Sequence, residues 1–130
     1  MGDFTGVIIK ESLEDKTVLD SLRVAKIETE KVTERFKTPW LEYWNLYHVV
    51  VPEIEGEELA KALSVALESE HPWYADFKNQ NVHYIIFKDK FFTIERHDAK
   101  GYEQARQYGI KHGIPPHQVE FSKHVRPRNN

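Results

Sequence analysis

The chain has 130 residues, 40% hydrophobic and 30% charged, and its 18 Lys+Arg against 21 Asp+Glu give a formal net charge of −3. A chain of that length buries roughly two thirds of its unfolded surface, enough for one core, so a single domain over 1–130 is expected, divided into N-terminal strands (1–37), a core (38–122) and a flexible basic tail (123–130). The mild acidity argues against a nucleic-acid partner, the absence of cysteine excludes disulfides, thiolate metal sites and cysteine nucleophiles, and no apolar run approaches the ~20 residues of a membrane span.

The opening MGDFTGVIIKESLED lacks a signal-peptide layout, which points to a cytoplasmic protein. Thr5 to Lys10 reads as a short strand around Val7, Ile8 and Ile9, and Leu22 to Thr33 as a second, half-exposed one. Glu34 to Pro39 is polar and ends in Thr38-Pro39, so it reads as a loop. Leu41 to Val51 is aromatic and β-branched throughout, a strong strand that wants cover on both faces. Pro52 stops it, and Leu59, Leu63 and Ala66/Leu67 then predict a helix over Glu55 to Glu68 with an acidic first turn. Trp73 to Asn81 is irregular. Val82 to Phe87 and Phe91 to Arg96 form a hairpin around Lys88-Asp89-Lys90. Asp98 suits the N-cap of a helix running to about His112, closed by Gly113, Ile114 and two prolines. Val119 to Phe121 is a last short strand.

From Leu41 onward the order is β-α-β-β-α-β, an α+β ferredoxin-like core with two helices on an antiparallel sheet and an N-terminal two-strand extension. Such a sheet has helices on one face only, yet these strands are apolar on both. In the hairpin, Val82, Tyr84 and Ile86 alternate with His83, Ile85 and Phe87; the central strand repeats the pattern. The second face therefore needs a cover: either the N-terminal strands folded over it or a second copy of the chain, a homodimer.

Seven histidines invite a metal reading, but none pair at helical i, i+4 spacing, and no metal site is expected. His48 reads as a hydrogen-bonded core histidine. The stronger constellation is polar and aromatic: Trp73, Tyr74, Asp76, Lys78, His83 and Arg96, residues suited to line a small-molecule pocket. Hairpin register decides the partner of His83. A three-residue loop sets it opposite Glu95, for a His–carboxylate acid/base pair, and a two-residue loop opposite Arg96, for an anion site. Two function classes follow. One is a small ligand-binding or regulatory module acting as a dimer. The other is a small cofactor-free enzyme using His83 or His48 as acid/base, oriented by Asp76 or Glu95. WYADFKN reads either as a functional rim or as a core plug formed by Trp73 and Phe77, with Asp76 and Lys78 in solvent.

Taken together, TPWLEYW near residue 40, WYADFKN at 73–79, HYIIF at 83–87 and YGIKHGIPPHQVEF at 108–121 resemble a small prokaryotic family of uncharacterised proteins. The resemblance covers the chain from Thr38 onward and implies no catalytic residue. In element order the chain is similar to ferredoxin-like ligand-binding and regulatory modules, ACT-type domains among them, and to small ferredoxin-like enzymes.

Overall fold

The computed structural model describes residues 2–127. Its strands are β1 (Phe4–Ile9), β2 (Arg23–Lys31), β3 (Tyr43–Val51), β4 (Tyr74–Lys78), β5 (Val82–Phe87) and β6 (Lys90–Glu95). They form one sheet in the order β2-β3-β1-β4-β5-β6, with every neighbouring pair antiparallel. Helix α1 (Gly56–Ala66) lies between β3 and β4 in the chain, and α2 (Ala99–Lys111) follows β6. Short 3₁₀ turns punctuate the connections.

This architecture overturns the ferredoxin-like expectation. A four-stranded core with an appended N-terminal pair would leave β1 outside; instead β1 lies inside the sheet, bonded to β3 on one side and β4 on the other. The reason lies in its side chains and in one glycine. Phe4 and Ile8 are buried on one face of the sheet, so β1 belongs in the middle of a sheet rather than over it. At Gly6 a Cβ would stand 2.1 Å from the Asp76 carbonyl oxygen and 2.7 Å from the Phe77 Cα, so the close β1–β4 approach requires glycine there. The strand over Leu41–Val51 is thereby second from an edge, not central.

Two further expectations are corrected. Trp73 to Asn81 is not irregular: Tyr74–Lys78 is a sheet strand whose side chains alternate half-buried and buried. Val119 to Phe121 is not a strand, because the Val119 N–H is spent on the Pro116 carbonyl and a 3₁₀ turn follows at Ser122–His124. Its apolar side chains turn instead into the core beneath α2. In the basic tail the Arg126 N–H donates to the Arg96 carbonyl at 2.6 Å; positions 128–130 lie outside the described residues.

One face of the sheet, and the β5–β6 part of the other, are covered within the chain. Leu59, Ala60, Leu63 and Ala66 of α1 pack with Phe4, Ile8, Val49, Phe77, Tyr84 and Ile86 on one face. Tyr102 and Ala105 of α2, together with Ile114, Val119 and Phe121, pack with Ile85, Phe87 and Ile94 on the other. The N-terminal strands do not lie over the second face, as one of the two expected covers required. The ends of α2 follow the sequence reading: Asp98 accepts from the Gly101 N–H at 2.9 Å, and Gly113 takes φ +96° so that the Ile114 N–H reaches the Gly109 carbonyl. No helix of the described residues is long and apolar enough to cross a membrane.

Candidate functional site

The β5–β6 hairpin turns on Lys88-Asp89, with Asp89 at φ 60°, and pairs Phe87 with Lys90. That two-residue turn sets His83 opposite Ile94, not opposite Arg96 as expected, because His83 lies four residues before Phe87 and its partner four after Lys90; neither Glu95 nor Arg96 is its cross-strand partner. Its neighbour on the other side is Lys78, and Asp76 sits opposite Ile85, which places Asp76, Lys78 and His83 on one face of the sheet.

His83 is completely buried. Its Nε2 lies 2.6 Å from Asp76 Oδ2 and its Nδ1 3.0 Å from the Tyr102 hydroxyl. A carboxylate only accepts, so Nε2–H donates to Asp76; Nδ1 is then free to accept the Tyr102 hydroxyl proton. Three groups on three elements thus form a line from α2 through β5 to β4. Asp76 is its outer end, with a quarter of its side chain exposed. Burial raises the Tyr102 hydroxyl pKa, more than the charge and hydrogen bond of Arg96 beside it lower it.

Asp76 faces a cleft of about 350 Å³. The cleft is floored by Val7, Ile9 and Leu46, walled by Phe36, Trp44 and Trp73, and crossed at its rim by His117 and Gln118. The indoles meet where β1 stops: Ile9 is the last residue paired with β3, opposite Leu46. Past that point Trp44 and Trp73 close the gap, their rings 5.6 Å apart, with Phe36 4.3 Å from Trp44. Hydrogen bonds tie rim residues together, from Gln118 Nε2 to the Phe36 carbonyl (3.0 Å) and from His117 Nε2 to the Arg35 carbonyl (3.0 Å). The Tyr74 hydroxyl donates to the Gln118 carbonyl at 2.6 Å, and burial, reinforced by the Asp76 charge, pushes its pKa far above the ordinary value.

Behind the indole wall, Glu68 is a hub. It accepts from His71 Nδ1, from Trp73 Nε1 at 3.0 Å and from the Glu70 N–H at 3.0 Å. Burial alone would raise its carboxyl, but these donors together hold it below the ordinary range. Trp40 stacks on His71 at 3.7 Å, which extends the aromatic wall outward.

A second cavity of about 220 Å³ adjoins the first at Asp76 and is bounded by Lys78, Glu120, Lys123 and His124. The His124 ring lies 5.0 Å from His83. Burial, then the proximity of His83 and Lys78, lowers its pKa from 6.5 to about 4. The folded chain therefore resists a proton that the unfolded chain accepts. Stability associated with His124 is fully present above pH 6.5 and is lost as the pH falls towards 4. Urea-unfolding midpoints should fall across that window, and His124→Gln should remove this part of the slope. An unchanged slope in the variant would refute the assignment.

Of the residues expected from sequence, the structure brings together Trp73, Tyr74, Asp76, Lys78 and His83. Arg96 lies outside this cleft, in a separate polar groove with Asn81 and Arg126, where its Nε donates to the His124 carbonyl (3.0 Å) and its Nη1 to the Asn79 carbonyl (2.6 Å). Glu95 is exposed and lies 3.7 Å from His97. His48 is not a core histidine; it is a half-exposed residue whose Nε2 lies 2.6 Å from Glu28 Oε1 on the outer ribbon of β2 and β3. The core-plug reading of WYADFKN holds for Trp73 and Phe77, both buried, while Asp76 is partly exposed and lines the cleft. Phe36, Trp44, Tyr102 and His124 were missed as site residues. Trp44 and Tyr102 carried a signal, an apolar strand face and an inward helix face, but nothing local tied either to Asp76.

Compared with protein-family models, curated protein sequences and solved structures, the chain matches none.

Proposed function

We propose that the protein binds a small organic ligand in the cleft bounded by Trp44, Trp73 and Asp76. The observation that carries this reading is the carboxylate of Asp76, about a quarter exposed at a cleft of about 350 Å³ and held from behind by a fully buried histidine. A mostly apolar cavity with a few placed polar groups is the usual form of a small-molecule site. Indole rings add contact area at low entropic cost, because each has only two torsions to fix.

A titration of the ¹⁵N-labelled protein with small aromatic compounds tests this. The indole N–H signals of Trp44 and Trp73 and the amides of 74–78 should move together. Shifts confined to the polar groove around Asn81, Arg96 and Arg126 would contradict it.

The relay favours a second reading, that of an enzyme with an acid/base carboxylate. In that case the roles assigned from sequence are exchanged: His83 has no exposed surface, so Asp76 would meet the substrate and His83 would orient it. Dimerisation is a separate proposal. Its surface would be the free edge of β2, where Ile27 and Tyr43 stand 54% and 50% exposed on one face. Light scattering should then give twice the chain mass, and the mass of one chain would contradict it.

A further inference from the structure

We propose that the ligand of this cleft carries an ammonium group, protonated or quaternary, on an aromatic or aliphatic body. This rests on the small-molecule reading above and adds the chemical class. The argument is an account of donors and acceptors around the cleft. Trp44 Nε1–H is spent on Thr38 Oγ1 at 3.0 Å and Trp73 Nε1–H on Glu68 at 3.0 Å. The Tyr74 hydroxyl is spent on the Gln118 carbonyl, the Gln118 amide on the Phe36 carbonyl, and His117 Nε2 on the Arg35 carbonyl. Every one of these neutral donors already has a partner inside the protein. An anionic head group would find little to bind in the interior.

What the interior offers is acceptor character. Asp76 Oδ2 takes the His83 proton, whereas Oδ1 accepts no hydrogen bond among the described residues. Nor does any lysine or arginine among them pair with Asp76; Lys78, two positions along the same face, does not. With their N–H groups spent elsewhere, Trp44 and Trp73 contribute aromatic carbon to the lining, and aromatic rings attract cations. Lys78, Glu120 and Lys123 border the adjoining cavity on the far side of Asp76, and none of them pairs with it; the other charged groups at the cleft itself are Glu30 and Arg35. Both are exposed, opposite in sign and screened by water and salt, so they leave the choice to Asp76. A carboxylate at the end of an aromatic trough selects a cation with an apolar body.

Three indoles with the same ring and different heads test the class on the unmodified protein: tryptamine (cation), indole-3-ethanol (neutral) and indole-3-propionate (anion), measured by calorimetry at neutral pH. Tryptamine should bind about tenfold or more tightly than indole-3-ethanol, a difference of about 1.4 kcal/mol, with indole-3-propionate weakest. Asp76→Asn keeps an acceptor for His83 and should level tryptamine with indole-3-ethanol, whereas Asp20→Asn, which removes an exposed carboxylate outside the cleft, should leave the preference in place. Equal binding of all three, or tightest binding of the propionate, overturns the ammonium class and leaves the cleft as a ligand site. No binding of any of them, with no movement of the Trp44 and Trp73 signals, overturns both.

Discussion

Gly6→Ala should be one of the most damaging single substitutions in this chain, lowering stability by about 3 kcal/mol or more in urea unfolding. The added methyl would meet backbone, the Asp76 carbonyl oxygen at 2.1 Å and the Phe77 Cα at 2.7 Å, and backbone cannot rotate away as a side-chain tip can. Relief would require β1 and β4 to part at the middle of the sheet, which would also shift the strand that carries Asp76. Gly2→Ala is the matched control. Its nearest neighbour would be the Asn79 Cβ at 3.7 Å, an ordinary contact, so its midpoint should stay close to that of the parent. Equal effects at the two glycines would refute the account of the β1–β4 seam.

His83→Leu should cost about 2–3 kcal/mol, because it leaves a buried tyrosine hydroxyl without its acceptor and a carboxylate without its donor. Tyr102→Phe removes a single bond and should cost about 1 kcal/mol. In the double variant the orphaned hydroxyl is gone, so the combined cost should fall short of the sum of the two. Strict additivity would mean that the two residues do not act as one unit. The cleft should respond as well: His83→Leu should weaken binding of tryptamine more than Tyr102→Phe does, since only the first removes the group that touches Asp76.

The elements were legible where local chemistry decides them. Asp98 and the Gly113-Ile114 pair specify the two ends of α2 from short-range geometry alone, and the structure keeps both. The hairpin was legible for the same reason, except for its register. There one positive-φ residue, Asp89, selects a Lys88-Asp89 turn and moves the partner of His83 to Ile94. Strand order was not legible. Nothing in the periodicity of Val7, Ile8 and Ile9 says that they lie between β3 and β4; what permits it is the missing side chain at Gly6, a long-range packing fact. The strand at Tyr74–Lys78 was hidden because Ala75 and Asp76 are poor strand formers, and tertiary burial of Ala75 and Phe77 overrides that preference.

The site divides along the same line. Trp73, Tyr74, Asp76, Lys78, His83 and Arg96 stood out as an unusual concentration of polar and aromatic side chains, and all but Arg96 meet around the cleft, its relay or the adjoining cavity. The roles within the group could not be read, because they depend on which member is closed off from solvent. A histidine beside a carboxylate suggests a histidine base; here the burial of His83 beneath α2 reverses that order and leaves Asp76 outermost. Phe36 and Trp44 come to the cleft from a turn and from a strand far away in sequence, and only the closure of the sheet brings them there.

The most direct test of the central claim, that Asp76 faces the cleft as an acceptor held by a proton from His83, is a long-range ¹H–¹⁵N correlation spectrum of the histidine rings. The account predicts that the His83 proton resides on Nε2, with Nδ1 bare and accepting from Tyr102. A proton on Nδ1 with a bare Nε2 would contradict it.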